Sequence, residues 1–330
     1  MSDKVSAALE KKALAAGDKL AKAKSSIQTV ILGQDNVIDL SLAAILSGGH
    51  ALLVGVPGLA KTLLVETLGT VLGLENNRVQ FTPDLMPSDI IGTEVLEETT
   101  KGKRSFRFIK GPIFSQLLMG DEINRASPRT QSALLQAMQE RTVTVAGQHY
   151  ELPKPFHVLA TQNPIEQEGT YPLPEAQLDR FLLQIDVDFP DLDTEKQILI
   201  STTGAKEAKA KKVLTPKSLI DMQQLVRELP IGEGVVDAIL KLVRNARPDQ
   251  SEISEVSEQV AWGPGPRAGQ ALMLASRAKA LMDERLAPSI DDVLDLAMPV
   301  LQHRMALNFA ARADGVTLEH VITRLKDSIA

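Results

Sequence analysis

The 330-residue sequence contains no cysteine, which excludes disulfides, thiolate catalysis and metal sites built on cysteine. Aromatic residues make up only 3% of the chain, so the core must consist mainly of aliphatic side chains. No apolar run approaches the roughly 18 residues that a membrane-spanning helix needs. The amino-terminal segment Ser2–Ser26 reads as an amphipathic helix without arginine or an apolar signal core. We therefore expect no targeting peptide, no membrane span and a cytoplasmic location.

A surplus of basic residues is also missing. Lysine and arginine number 36 against 42 aspartate and glutamate residues, which gives a formal net charge of −6. Non-specific nucleic-acid binding depends on lysine and arginine contacts to the phosphate backbone. The acidic balance therefore disfavours such binding as the main function of the chain. The length allows two domains, or one large domain with an appendage.

Short aliphatic runs alternate with helical stretches in the first two-thirds of the chain, which is typical of a parallel α/β sheet. The first predicted strand is Ala51–Val54, and the helix Lys61–Leu72 follows it. Further strands are predicted at three aliphatic runs, Phe114–Met119, Pro155–Ala160 and Phe181–Val187.

The segment Arg141–Gln148 predicts a hairpin that turns at glycine, and Asp89–Arg107, punctuated by Gly92 and Gly102, predicts a second hairpin or an inserted element. Strand patterns end near Pro190, and a stretch from Gly204 to Pro216 predicts an exposed, flexible connection. Helical segments punctuated by proline follow it. We expect an α/β domain with a parallel sheet flanked by helices in residues 1–189, and an all-α domain in residues 190–330.

A glycine-containing loop joins the first strand to its helix, with the sequence Gly55-Val56-Pro57-Gly58-Leu59-Ala60-Lys61-Thr62. Backbone N–H groups at a helix amino terminus bind phosphate well, and the helix dipole favours negative charge there. Gly55 and Gly58 allow the backbone to turn and approach the phosphates. Lys61 is placed to reach the β- and γ-phosphate oxygens, and the Thr62 hydroxyl is placed to ligate Mg²⁺. The loop predicts ATP binding, since the chain has no Asn-Lys-x-Asp guanine reader.

One position departs from the usual phosphate-loop pattern, because Ala60 stands where a glycine normally precedes the lysine. A methyl group is tolerable there if the backbone is already helical. Taken by itself, the loop leaves an alternative open, namely a turn that only joins a strand to a helix.

Two adjacent carboxylates, Asp121 and Glu122, end the aliphatic run Leu117–Gly120. We expect this strand to lie beside the first strand in a doubly wound sheet, with both acids at its carboxyl edge. Asp121 would hold Mg²⁺ through its water shell, and Glu122 would orient and polarise the attacking water. The alternative is an acidic helix cap, which the presence of the phosphate loop disfavours.

A third polar position follows the run Pro155–Ala160. Asn163 is a candidate for contact with the γ-phosphate or the attacking water. An asparagine before Pro164 is also a common turn residue, and the residues alone leave both interpretations open.

These segments resemble the MoxR family of AAA+ ATPases, in the helix-2-insert clade. The resemblance runs from about Ile31 to Ile322, and Ala60 belongs to it because this family commonly has Ala-Lys-Thr at that place. The motifs that carry it are Gln80–Asp89, Asp121–Ala126, Gln131–Leu135, Met138–Arg141, Ala160–Pro164 and Glu175–Phe181.

The resemblance implies a Mg²⁺-dependent ATPase with an AAA+ phosphate-loop core and a helical lid. Asn163 matches the first sensor residue, and Arg267 matches the second sensor on the lid. Arg180 matches the arginine finger, which reaches into the site of the neighbouring subunit. Gly33 and Gln34 lie where AAA+ proteins enclose the adenine.

The assembly and the role are implied in the same way. The resemblance implies a hexameric ring whose central pore faces the hairpins at Asp89–Arg107 and Val143–Gln148. It also implies chaperone-like remodelling that matures or activates partner complexes, often with von Willebrand factor A domain proteins, while related branches assist metal insertion into metalloenzymes.

Several alternatives stay open at this point. Arg180 follows Asp179, so a local surface ion pair worth about 0–1 kcal/mol is an alternative to the finger. Arg125 is either a second interfacial charge or a solvated residue at a helix start. A nucleic-acid motor or loader of the same clade is a rival function, disfavoured by the acidic balance and the lack of aromatic platforms. A small-molecule kinase is another, which would not need Arg180 from a second subunit.

Overall fold

The computed structural model describes residues 2–98, 104–165, 169–204 and 208–329. The strands are β1 Ala51–Val54, β2 Asn76–Gln80, β3 Gly92–Glu98, β4 Arg104–Lys110, β5 Leu117–Asp121, β6 Thr142–Val145, β7 Gln148–Glu151, β8 His157–Gln162, β9 Leu183–Asp186, β10 Val260–Trp262 and β11 Ala306–Leu307. The helices are α1 Ser2–Gln28, α2 Asp35–Leu46, α3 Lys61–Leu72, α4 Pro87–Ile91, α5 Pro128–Glu140, α6 Glu175–Leu178, α7 Leu192–Thr202, α8 Pro216–Glu228, α9 Glu233–Asn245, α10 Ser254–Gln259, α11 Pro266–Met282, α12 Ile290–Leu301, α13 Phe309–Ala313 and α14 Leu318–Asp327.

The central sheet has five parallel strands in the order β2-β5-β8-β1-β9. The prediction that the strand ending in Asp121 lies beside β1 is wrong, because β8 lies between β5 and β1 and pairs with both. The acids still reach the carboxyl edge, since parallel strands end at the same edge of a sheet. The inserted strand brings Asn163 between the phosphate loop and the acids.

The edge strand β2 was not marked by any aliphatic run. Of its five residues only Val79 is buried. An edge strand has a neighbour on one side only, so its polar residues can remain in solvent. This strand nevertheless supplies two side chains, Arg78 and Gln80, that contact the site described below.

Buried strand residues alternate between the two faces of the sheet, as the two-residue period of a strand requires. Leu53 packs in one cluster with α1, α2 and α3 and with the carboxy-terminal helices. Leu52 packs on the opposite face with α5. Helices on both faces keep the parallel sheet out of water, which is the arrangement that the α/β pattern predicted.

The carboxy-terminal region is helical, but it also contains β10 and β11, which pair antiparallel. The sequence predicted no strand there, because each has at most three residues and lacks a period. The prediction that Gly204–Pro216 forms an exposed, flexible connection is wrong for the second half of this stretch. The N–H groups of Val213 and Leu214 both donate to the carbonyl of Val71, and Leu214 is buried. Residues 205–207 of that stretch lie outside the described residues.

Both predicted hairpins are present. The strands β3 and β4 pair antiparallel from Gly92↔Lys110 to Glu98↔Arg104, while their turn, 99–103, lies outside the described residues. The strands β6 and β7 are joined by Ala146 and Gly147 with φ of 48° and 80°, as a two-residue hairpin turn requires. The two hairpins touch through Phe108 and Tyr150, whose rings stack at 4.2 Å.

Candidate functional site

A cavity of about 410 Å³ opens at the carboxyl ends of β1, β5 and β8. Most of the predicted site residues meet there. The lining residues are Pro57, Gly58, Leu59, Ala60, Lys61, Thr62, Leu63, Asp121, Glu122, Thr161 and Asn163. The structure thus brings the loop, both acids and the predicted first sensor together, although they come from three separate stretches of the chain.

The two glycines of the loop are needed for different structural reasons. Gly55 lies so close to the next strand that a Cβ would be 2.5 Å from the carbonyl oxygen of Val187. Gly58 has φ of 86°, which favours glycine, and a Cβ there would meet open space. The helix α3 then begins at Lys61 without a side-chain cap on its first N–H groups. Uncapped N–H groups facing a cavity form an anion site.

Ala60 has the left-handed backbone conformation, with φ of 56° and ψ of 20°. Ala60 therefore precedes the right-handed helix, which begins only at Lys61. A left-handed L-residue costs roughly 1–2 kcal/mol. Strain of this kind clusters at functional sites, where the surrounding structure holds it in place.

The ammonium group of Lys61 bends back over the loop. Its Nζ donates to the carbonyl oxygens of Gly55 at 2.7 Å and Val56 at 2.6 Å. Burial lowers the pKa of Lys61, while the nearby carboxylates of Asp121 and Glu122 act in the opposite direction. These contacts hold the cation over the cavity.

Asp121 is held by side chains from both neighbouring strands. Thr161 on β8 donates its hydroxyl to Asp121 Oδ1 at 2.6 Å, and Arg78 on β2 donates to Oδ2 at 2.5 Å. The backbone N–H of Glu122 donates to the same Thr161 oxygen at 2.9 Å. Thr161 therefore fixes both acids, a role that the sequence analysis missed. Its place at the end of β8, two residues before Asn163, was the only available signal.

Glu122 also has left-handed backbone, with φ of 56° and ψ of 50°, which turns its side chain away from the line of β5. Its Oε2 accepts from Gln80 at 2.7 Å and from Arg125 at 3.2 Å. Arg125, for which the sequence left two interpretations open, thus contacts the second acid within its own chain. The carboxylate is oriented from two sides.

We expect Thr161→Val to lower ATP turnover about 30- to 150-fold and to lower the free energy of unfolding by about 1–3 kcal/mol. Valine keeps the shape of the buried side chain but removes the hydroxyl that joins Asp121 to the Glu122 backbone. The hydroxyl makes two positioning hydrogen bonds, and loss of both, at about 1–1.5 kcal/mol each, corresponds to this factor. Steady-state phosphate release with a thermal unfolding control measures both effects, and Thr161→Ser, which retains the hydroxyl, should stay near the wild-type rate.

Asn163 combines the two interpretations that the sequence left open. Its side chain lines the cavity with Asp121 and Glu122. Its Oδ1 also accepts from the N–H of Ile165 at 3.2 Å, as a turn asparagine does. The turn orients the amide toward the cavity, so the structural and functional interpretations are compatible.

Gln34 is buried beside the loop, and its Nε2 donates to the carbonyl of Leu59 at 3.1 Å. Its Oε1 is buried and has no hydrogen-bond partner among the described residues. An orphaned buried acceptor suits a donor such as the exocyclic amino group of adenine. Gly33 has φ of 68°, and a Cβ there would collide with the side chain of Thr194. Both residues therefore fit the edge of a nucleotide-base site.

The donor set also fits Mg²⁺, which binds through one or two carboxylates together with substrate phosphates and water. Thr62 and Asp121 line the same cavity and would hold the ion. ATP and Mg²⁺ are thus compatible with the residues present.

Arg180 and Arg267 lie away from this cavity. They are near the amino-terminal ends of the sheet strands, whereas the cavity is at the carboxyl ends. The N–H of Leu182 donates to the carbonyl of His50, which precedes β1, whereas the phosphate loop follows β1. The arginines and the phosphate loop are therefore separated by the length of β1, which is roughly 13 Å at about 3.3 Å per residue. A second cavity, of about 200 Å³, contains both arginines together with Gly49. The structure does not bring either arginine to the phosphate loop of its own chain.

The carboxylate of Asp179 is engaged by residues other than Arg180. Arg304 donates its Nε to Asp179 Oδ1 at 2.7 Å, and Arg267 lies 3.5 Å from Oδ2. Arg304 is 3% exposed; burial lowers its pKa, and the contact with Asp179 opposes that shift. The local Asp179–Arg180 ion pair is therefore absent. In the described part of the chain, the Arg180 guanidinium makes no hydrogen bond or ion pair.

Known protein families match two parts of the chain. A family model described as "ATPase family associated with various cellular activities (AAA)" matches residues 50–183, and an AAA lid domain model matches residues 253–325. Chaperone MoxR1 of Mycobacterium tuberculosis is 42% identical over 94% of this chain and 82% of its own length. Protein MoxR of Paracoccus denitrificans is 30% identical over 87% of this chain and 88% of its own.

A solved structure is similar over nearly the whole chain. It belongs to a protein from Cytophaga hutchinsonii described as an ATPase, with a TM-score of 0.89 and 37% sequence identity. The alignment covers 98% of this chain and 97% of that one. Among the described helices, none has the length and apolar character that crossing a bilayer requires.

Proposed function

The chain belongs to the MoxR family of AAA+ ATPases, and from this premise we propose that it hydrolyses ATP at sites shared by neighbouring subunits of a head-to-tail ring. The proposal rests on one observation: the phosphate loop and Arg180 lie at opposite ends of the sheet strands. When the arginine side of one copy meets the loop side of the next, the contact is heterologous, and repeating it forms a ring if the rotation closes. The family favours six subunits.

Each residue then has a separate part in the reaction. The loop N–H groups and Lys61 bind the phosphates, and Gln34 contacts the base. Thr62 and Asp121 would hold Mg²⁺, which would supply positive charge to the phosphates. Glu122 orients the attacking water from its fixed position, and Asn163 contacts the γ-phosphate side.

The arginines act from the adjacent subunit. Arg180 stabilises the charge that develops on the transferred phosphoryl group, and Arg267 senses the same nucleotide from the lid. We divide the subunit into a nucleotide-binding core, residues 1–189, and a lid, residues 190–330. Because the core and the lid both line the cavity that contains Arg180 and Arg267, nucleotide state would reach the lid of the next subunit directly.

We expect Lys61→Ala to weaken ATP binding at least about 100-fold and to abolish measurable turnover. Among the described residues that line the phosphate cavity, Lys61 is the basic one, and charge-assisted contacts to phosphate are worth about 1.5–3 kcal/mol each. Equilibrium titration with a fluorescent ATP analogue and phosphate release give the two readouts. Lys11→Ala, at an exposed position of α1, is the matched control. Full turnover by the Lys61→Ala chain would refute the assignment of this loop.

We also propose that the ring uses ATP for chaperone-like remodelling of partner complexes. The hairpins β3–β4 and β6–β7 are the contact elements, because Phe106 is 70% exposed and the Phe108–Tyr150 stack joins the two hairpins into one unit. The family implies a von Willebrand factor A domain protein or a metalloenzyme as client. A pull-down with Glu122→Gln in ATP should retain the client, and adding Phe106→Ala should release it. Retention without nucleotide would argue against an ATP-driven cycle.

A further inference from the structure

Helix α7 has an apolar side that its own chain does not cover. None of its residues is buried, although the helix is fully described. Leu192, Leu199 and Ile200 are 80%, 65% and 70% exposed and lie on one side of the helix by their spacing. Phe189, just before the helix, is 70% exposed. Several exposed apolar side chains grouped on one side of a helix in this way indicate an interaction site.

The same helix is acidic and lies beside the nucleotide site. Its exposed charged residues are three acids, Asp191, Asp193 and Glu195, and one base, Lys196, so the balance is acidic. Thr194 lies against Gly33, and Gln34 in turn bonds to Leu59 of the phosphate loop. Helix α7 therefore lies on the nucleotide-bearing side of the subunit, with Thr194 toward Gly33 and the exposed leucines on roughly the opposite side of the helix.

A groove of opposite charge lies elsewhere on the lid. It has a volume of about 820 Å³ and runs between α8, α9 and α11. Its apolar wall includes Ile239, Val243 and Leu240, the last of which is 54% exposed. Its charged lining residues are three arginines, Arg227, Arg244 and Arg247, with no acid.

The groove adjoins the arginines that the proposed function assigns to the neighbour's site. Gln270 and Leu274 line both this groove and the cavity that contains Arg180 and Arg267. The subunit thus has an acidic, apolar helix beside its phosphate loop and a basic, apolar groove beside its arginines. A head-to-tail contact that brings Arg180 to a neighbour's phosphate loop brings these two surfaces to the same interface.

We propose that the exposed side of α7 docks into the α8/α9/α11 groove of the next copy of this chain. Leu199 and Ile200 pack against Leu240, while the acids of α7 face the arginines of the groove. The inference rests on the proposed head-to-tail ring and names the surface that holds it together. It also joins the nucleotide side of one subunit to the lid of the next, since α7 contacts Gly33.

The absence of native cysteine allows a direct test of this contact. One chain carries Leu199→Cys and another Leu240→Cys; both are mixed under assembly conditions and treated with a short bis-maleimide. We expect a covalent dimer from the mixture, and a ladder up to ring size from the double variant. Leu14→Cys, at a position of α1 that is 46% exposed, replaces Leu199→Cys as the control and should give no dimer.

The outcomes separate the two proposals. If light scattering shows a ring but the mixture gives no dimer, the α7 contact is wrong and the ring survives. If no assembly forms at any nucleotide concentration, the ring and the contact both fail. A dimer that forms equally with the Leu14→Cys control would reflect random collision and would also overturn the contact.

A charge exchange tests the electrostatic part. We expect Arg244→Glu to weaken subunit association about 5-fold, the size of one partly exposed ion pair. Combining it with Glu195→Arg should restore association, because the pair is then reversed. Arg324→Glu, the same change at an exposed position of α14, should have no effect. Association that is unchanged in Arg244→Glu, or not restored in the exchanged pair, contradicts the charge pairing.

Discussion

Replacing Arg180 with alanine is expected to lower ATP turnover about 10³-fold or more, with nearly unchanged nucleotide affinity. An arginine finger is worth roughly 10³–10⁵ in rate because it stabilises charge that develops only in the transition state. The phosphate loop and Lys61 remain intact in this variant, so ground-state binding persists. Phosphate release at protein concentrations above the assembly threshold, together with titration of a fluorescent ATP analogue, measures both quantities.

The fold should tolerate this change. The Arg180 guanidinium makes no bond in the described part of the chain, and Asp179 is already engaged by Arg304. Arg180→Lys should recover only part of the rate, since a point charge cannot replace the planar guanidinium fork. Arg324→Ala is the control for a lost surface arginine. If assembled Arg180→Ala retained wild-type turnover, Arg180 would not be an arginine finger.

Glu122→Gln is expected to lower turnover about 10²–10⁴-fold and to leave ATP binding intact or tighter. The amide has the shape of the carboxylate but cannot accept a proton from the attacking water, and a positioned general base contributes about that factor. Loss of a negative charge near the phosphates removes repulsion and favours the bound state. Single-turnover hydrolysis and ATP-analogue affinity give the two numbers.

The control for this variant is Glu140→Gln, at the exposed end of α5. It makes the same chemical change outside the cavity and should retain wild-type kinetics. If Glu122→Gln lost ATP binding instead of hydrolysis, Glu122 would be a structural or binding residue, and the division of labour between Glu122 and Asp121 would be wrong.

Local chemistry explains what the sequence predicted well. The loop Gly55–Thr62, the strand before it and the helix after it are contiguous, so their residue types report directly on backbone geometry. The hairpin turn at Ala146 and Gly147 is equally local. Asp121 and Glu122 were located because an aliphatic strand that ends in two acids is recognisable without its neighbours.

Long-range pairing explains what the sequence did not predict. The position of β8 between β1 and β5 depends on partners far apart in the chain, and the polar strand β2 has no aliphatic pattern. Asp179 and Arg304 are 125 residues apart, so their contact could not be inferred. Thr161 acquires its role only when β8 lies beside β5. The left-handed backbone of Ala60 depends on the folded loop.

The most direct test of hydrolysis between subunits is to mix Arg180→Ala chains with Glu122→Gln chains. Each variant alone should be nearly inactive, because every site lacks one essential group. Random assembly at a head-to-tail interface gives about one site in four that combines an intact Glu122 with an intact neighbouring Arg180. If hydrolysis takes place between subunits, the mixture recovers a substantial fraction of wild-type turnover. A mixture that remains at the average of the two inactive variants, under conditions where mixed rings form, would contradict hydrolysis between subunits.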